Sequence, residues 1–220
     1  MPIALTPEPL VVGLQLIPLG HPNRPGIKIP EVKAIVVHYT GNNNPGATDI
    51  ANLGYMGRSY VKTGNNYFEV DRVTPFRFGS AHVFCDEDSI TEGIPLDEVA
   101  YGVGDRAKPY TEEFKGQQPI AKVYFNNQQN FSTLSVEICN NASWDKACEN
   151  AIKFIRKYLK DNNLIANITL SKMLAAQDMT APPLNGKSIP IIRHFDLSGK
   201  ICPKPFVDDS NLWFNFLDKI

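Results

Sequence analysis

Four histidines and four cysteines are the scarce chemistry-bearing residues of this 220-residue chain. Two of the histidines stand where ligands are usually bound. His38 and His194 follow short apolar, β-branched runs, Ala34 to Val37 and Ser188 to Ile192. The carboxyl ends of buried strands are where open α/β sheets place their ligands. Cys202 comes eight residues after His194, across a turn containing Ser198 and Gly199, and a glycine-bearing loop of that length can return a thiolate beside an imidazole. Two imidazoles and one thiolate form a donor set that zinc accepts, with a fourth tetrahedral position left for water. Glu137 lies in a third strand-like run, on the face opposite its apolar residues, where glutamate is depleted. A carboxylate beside such a water can act as general base. Lys200, two residues before Cys202, is placed to hold an oxyanion, although a loop lysine is ordinarily only solvated.

The remaining candidates read differently. His82 fits either a group that hydrogen-bonds a ligand or substrate, or a core histidine. His21, set among prolines and Asn23, reads as exposed and idle. Cys85, Cys139 and Cys148 read as core thiols, with Cys139 sharing the face of Glu137. Pro203 directly after Cys202 predicts an exposed placement for that thiol. Gly102-x-Gly104-x-x-Ala107 superficially matches a dinucleotide fingerprint. It lacks a preceding strand, and Pro109 disfavours the helix it must open. No H-E-x-x-H or G-x-S-x-G pattern is present.

Regular elements must bring these groups together. Residues 1–31 read as an irregular, proline-rich lead-in that wraps the domain, and residues 32–220 as a single domain. Ala34–Val37 predicts a strand buried on both faces. Thr48 predicts the N-cap of a helix over 49–60, with Ile50, Leu53 and Met56 as its apolar stripe. Residues 66–92 predict a hairpin or two successive strands, with Asp86-Glu87-Asp88 as a turn. Gly102 to Ser132 reads as one long polar loop. In Leu134–Cys139, alternation puts Leu134, Val136 and Ile138 on one face and Ser135, Glu137 and Cys139 on the other. Ser143 predicts the cap of a helix to about residue 163, and Ser210 the cap of a last helix.

Composition narrows the function. Lys plus Arg number 22 and Asp plus Glu 23, a formal charge of −1; a basic footprint for nucleic acid or for a membrane surface is therefore not expected. No apolar run approaches the roughly 20 residues that span a bilayer. The stretch Leu10–Leu19 is interrupted by Gly13, Gln15 and Pro18 and has no Lys or Arg before it, a poor signal peptide. Synthesis in the cytoplasm without such a signal is the expectation. Four cysteines are too few for a disulfide scaffold.

V-V-H-Y-T (36–40), S-V-E-I (135–138) and R-H-F-D-L-S-G-K-I-C-P (193–203) resemble the N-acetylmuramoyl-L-alanine amidase type 2 family of phage and bacillus-type cell-wall amidases, which is itself similar to the peptidoglycan recognition proteins. The family pattern is a histidine after the first buried strand and a late histidine followed by Lys-x-Cys-Pro. Those positions are His38, His194, Lys200, Cys202 and Pro203 here, and Glu137 matches the family's catalytic acid. S-A-H-V-F (80–84) resembles the strand before the family's substrate groove. Tyr101-Gly102-Val103-Gly104-Asp105 stands where the family has Trp-His-Ala-Gly-Asp or similar, with Gly102 in place of the histidine.

The resemblance implies an α/β fold, a mixed central sheet flanked by helices, with a zinc site at the base of a surface groove. It implies a zinc amidase that cleaves the amide between N-acetylmuramic acid and L-alanine of peptidoglycan. The ligands would be His38, His194 and Cys202, with Glu137 and Lys200 catalytic. Such a chain would act on the cell wall after release, as a phage-type endolysin or a bacterial autolysin. Two competing functions are a peptidoglycan-binding receptor without turnover and a cytosolic amidase that recycles small muropeptides.

Overall fold

A computed structural model of the chain describes residues 12–104, 119–184 and 186–220. The expectations for Asp105, Ala107 and Pro109, and for the first part of the lead-in, fall outside the described residues. In chain order the first elements are β1 (Gly13–Leu14), β2 (Ala34–Tyr39), α1 (Asp49–Met56), β3 (Val61–Thr63), β4 (Asn66–Phe68), β5 (Val83–Cys85) and β6 (Ile90–Glu92). There follow α2 (Pro119–Phe125), β7 (Thr133–Ile138), α3 (Trp144–Asp161), β8 (Ile165–Ala166) and α4 (Ile168–Ala175). The chain closes with β9 (Ser188–Ile189), β10 (Ile191–Arg193), α5 (His194–Ser198), α6 (Lys204–Asp208) and α7 (Ser210–Leu217).

The central sheet has the order β1-β6-β5-β7-β2-β10. Its strands β5, β7, β2 and β10 run parallel, and β6 is antiparallel to β5. The sheet is therefore mixed and flanked by helices, as the family resemblance implied. Ala34, Ile35, Val36 and Val37 are all fully buried, because β2 sits mid-sheet with helices on both sides. Ile35, Val37, Leu134, Val136 and Ile138 face the stripe Ala151, Ile152, Ile155, Tyr158 and Leu159 of α3, together with Trp213 and Phe216 of α7. Ala34, Val36 and Ile192 face the other way, toward α2, α4 and Leu197 of α5. Period-2 alternation on the strands thus builds two separate cores.

Several elements differ from the sequence reading. The lead-in is not wholly irregular: β1 adds an edge strand parallel to β6. α1 is capped by Thr48 as expected but stops at Met56, and Ile50 points to solvent while Leu53 is buried. The stretch 66–92 divides between two sheets, with β3 and β4 pairing apart from the β5–β6 hairpin. The expected loop 102–132 contains α2, whose Ile120, Ala121 and Phe125 are buried. Asn126 and Asn127 end that helix in the left-handed region, where asparagine is tolerated. Pro190 divides the 188–192 run, so β9 pairs with β8 while β10 joins β2. Asp209, not Ser210, caps α7, accepting from the backbone N–H of Asn211.

Candidate metal centre

Register places the predicted residues side by side. His38 on β2 is the partner of Glu137 on β7, and Glu137 in turn is the partner of Phe84 on β5. Arg193 pairs with Val37, so His194 leaves β10 at the level of His38. Strands are spaced about 4.8 Å apart, and a shared row on one face brings the two imidazoles and the carboxylate to the carboxyl end of the parallel block.

The thiol arrives by a loop. α5 ends at Gly199, whose φ of 71° is left-handed, the conformation that glycine adopts without a Cβ penalty. The chain then turns back, and the Phe195 N–H donates to the carbonyl of Cys202 at 2.9 Å. Cys202 Sγ ends 4.0 Å from His38 Nδ1, and His38 Nδ1 lies 3.1 Å from His194 Nδ1. One donor atom from each of the three residues lies within 4.8 Å of the others. Cys202 is only 2% exposed, against the exposed placement expected beside Pro203. That proline caps the buried start of α6 instead of marking a surface turn.

Burial sets the protonation states. It pushes His38 down to about 3, helped by the positive charge of Lys200 and by His82. It also holds His194 well below the usual imidazole range, with His38 and Lys200 adding to the effect. Both rings are therefore neutral and keep a lone pair for a cation. Burial raises the Cys202 thiol to about 12, with Glu137 adding to the rise and Lys200 opposing it. A dication at this point would reverse that preference, since metal binding and thiol deprotonation are linked. Tetrahedral donors about 2.0–2.3 Å from one ion stand about 3.3–3.6 Å apart; the two separations from His38 Nδ1, 3.1 and 4.0 Å, lie on either side of that range. His38 Nε2 is sealed without a partner, so the ring's polar contacts all lie on the side of His194 and Cys202. His38, His194 and Cys202 could hold a metal ion.

Beside this cluster runs a groove of about 520 Å³, lined by Tyr39, Thr40, Glu137 and Lys200 and walled by Asn52 and Tyr55 of α1. Glu137 Oε2 is sealed and unpartnered, as is the Thr40 hydroxyl. Burial lifts the Glu137 carboxyl to about 7, against the opposing charge of Lys200. Lys200 itself is exposed on the groove wall. Thr40, Asn52 and Tyr55 went unremarked in the sequence. Thr40 had a signal, since it stands two residues beyond His38 and so on the same side of the strand's extension.

The other candidates lie elsewhere. His82 is fully buried; its Nδ1 accepts from the Ser135 N–H at 2.9 Å, and its Nε2 donates to the Glu98 carbonyl at 2.8 Å. It is a core histidine. His21 is buried too, contacting the Arg58 carbonyl and the rings of Tyr60 and Phe76, against the expectation of an idle surface residue. Cys139 packs with Leu53 and Phe84 in a core of its own. A Cβ on Gly102 would overlap Ser135 Oγ, so the histidine of the resembling pattern has no room here.

Comparison with known proteins adds a second line. The family described as N-acetylmuramoyl-L-alanine amidase matches residues 28–205. The amidase CwlL of Bacillus licheniformis is 28% identical over 200 residues, covering 90% of this chain and 43% of that protein. The amidase CwlH of Bacillus subtilis (strain 168) is 28% identical over 208 residues, covering 94% and 60%. The chain thus spans about half the length of the curated relatives it matches. Among solved structures, the catalytic domain of XlyA superposes with a TM-score of 0.61 at 23% identity, over 94% of this chain and 99% of that one. PlyL superposes at 0.59 with 20% identity, over 96% of each. Both likenesses concern the fold.

Proposed function

The chain belongs to the N-acetylmuramoyl-L-alanine amidase family, and from that membership we propose that it hydrolyses the amide between N-acetylmuramic acid and L-alanine in peptidoglycan with the help of zinc. The observation that carries the reading is the convergence of His38, His194 and Cys202 beside Glu137, which lines the neighbouring groove. Residues 32–220 would form the one catalytic domain, with residues 12–31 of the lead-in packed against it. Its target would be the wall of a bacterium, reached after release as an endolysin or autolysin would reach it.

His38, His194 and Cys202 would hold the ion. A bound zinc ion supplies Lewis acidity, making water more acidic and an amide carbonyl more electrophilic. Glu137 takes the proton from the attacking water and delivers it to the departing alanine nitrogen. A carboxyl held at about 7 suits both halves of that transfer near neutral pH. Lys200, on the same groove wall, holds negative charge as it develops on the carbonyl oxygen.

The test joins metal content with mass spectrometry of digested peptidoglycan. Zinc near one equivalent, with new alanine amino termini and intact lactyl groups on the glycan, is the expected result. Zinc-loaded protein that binds muropeptides yet releases no alanine amine would refute the reading in favour of a receptor. Turnover of soluble fragments without turnover of intact sacculi would move the substrate to recycled muropeptides.

A further inference from the structure

Arg193, the residue before His194, is buried together with the carboxylate of Asp196. Its guanidinium donates to Asp196 Oδ1 from Nε at 3.1 Å and from Nη2 at 2.7 Å. Nη1 donates to the Phe206 carbonyl at 2.8 Å, and Nη2 to the Ala175 carbonyl at 3.2 Å. Asp196 also accepts from the Arg193 backbone N–H at 2.8 Å. The rings of Phe195 and Trp213 flank the guanidinium at 5.5 and 5.7 Å.

These partners belong to different parts of the chain. Asp196 lies in the short helix that starts with His194. Phe206 lies in α6, which starts two residues after Cys202. Ala175 ends α4. One planar group therefore joins the segment carrying an imidazole to the segment carrying the thiol, and ties both to the body of the domain. Guanidinium geometry permits this; a lysine ammonium offers a point charge without the fork.

A sealed ion pair adds little net stability, because desolvation offsets most of its attraction. Its directional bonds do fix geometry. We propose that Arg193 and Asp196 are positioning residues for the metal centre: they set the placement of the Cys202 thiol relative to His194, and with it the affinity for the ion. The inference rests on the reading of His38, His194 and Cys202 as metal donors. Neither Arg193 nor Asp196 is asked to touch the reacting atoms.

The decisive variant is Arg193→Met with Asp196→Leu, which exchanges the pair for apolar groups of similar size and leaves no orphaned charge. Zinc affinity is read by competition with a chromophoric chelator, and donor geometry by the absorption of the cobalt(II)-loaded protein. The expected result is a metal-free protein that folds with a lowered melting temperature, since the Phe206 and Ala175 carbonyls and the Arg193 N–H lose their side-chain partners, zinc binding weakened about 10–100-fold, and a diminished thiolate-to-cobalt band. Arg193→Lys, which keeps the charge but loses the fork, should show a smaller change in the same direction, and it decides the matter if the double variant does not fold. Wild-type affinity and spectrum in the variants that fold would overturn the inference alone. A wild-type protein that binds neither zinc nor cobalt would overturn the metal reading and the inference with it.

Discussion

His38 and Glu137 are register partners across the β2–β7 ladder, at the carboxyl ends of two parallel strands. A one-residue slip would turn Glu137 to the opposite face, into the core against α3. The ladder is held by Ile35, Val37, Leu134, Val136 and Ile138, all fully buried, so the core that stabilises the domain also fixes the distance between the proposed metal donor and the proposed base.

Glu137→Gln preserves shape and removes the base. Peptidoglycan hydrolysis should fall by about 10²–10⁴, with zinc content unchanged because Glu137 is outside the donor set. Single-turnover rates and metal analysis on the same preparation check this. A variant that retained wild-type rates would remove Glu137 from the mechanism.

Lys200→Met tests the oxyanion role. Losing such a donor costs about 10²–10³ in a sealed site, and Lys200 is exposed, so a loss of about tenfold to a hundredfold is expected. Lys200 also holds the Glu137 carboxyl down, so the acid limb of the pH–rate profile should move to higher pH. An unchanged limb with an unchanged rate would leave Lys200 a solvated loop residue.

Acid should destabilise the metal-free protein. His82 is neutral and doubly hydrogen-bonded in the core, and burial lowers it from 6.5 to about 4. The unfolded chain therefore takes up this proton first. The contribution is complete above pH 6.5 and is lost as pH falls from there through about 4. It amounts to on the order of 3 kcal/mol for this one ring, and His38 and His194 act in the same direction. Urea unfolding in chelator at pH 7 and pH 4 measures it; equal stabilities would contradict the assignment.

Gly102→Ala should cost about 1–3 kcal/mol, the usual penalty of overpacking, because the new methyl would overlap Ser135 Oγ. In a Ser135→Ala background part of the loss should return. Thermal melts of the single and double variants measure both effects, and an unchanged melting temperature in Gly102→Ala would contradict the close approach.

Much of the site was legible because its residues are scarce and sit at strand ends. His38 and His194 follow β-branched runs, and Glu137 is set apart by alternation with Val136 and Ile138. The mixed sheet followed from the family resemblance, while β2 and β7 were legible as strands from their own apolar patterns. What escaped depends on contacts distant along the chain. His21 is buried by the Arg58 carbonyl, 37 residues on, which no local pattern announces. α2 was hidden because its three buried residues stand among Asn and Gln. The Arg193 clamp was present in R-H-F-D, yet its Phe206 and Ala175 acceptors are backbone atoms and carry no residue signature.

The donors are brought together over great sequence separations: 156 positions between His38 and His194, and 164 between His38 and Cys202. Contacts of that span form late, after the intervening loops have closed. A nascent chain whose residue 202 is still inside the ribosome has no complete donor set, however well its earlier strands have folded. Wall-cutting capacity of the proposed kind would therefore appear only after residue 202 has emerged and the last strand and the thiol loop have docked.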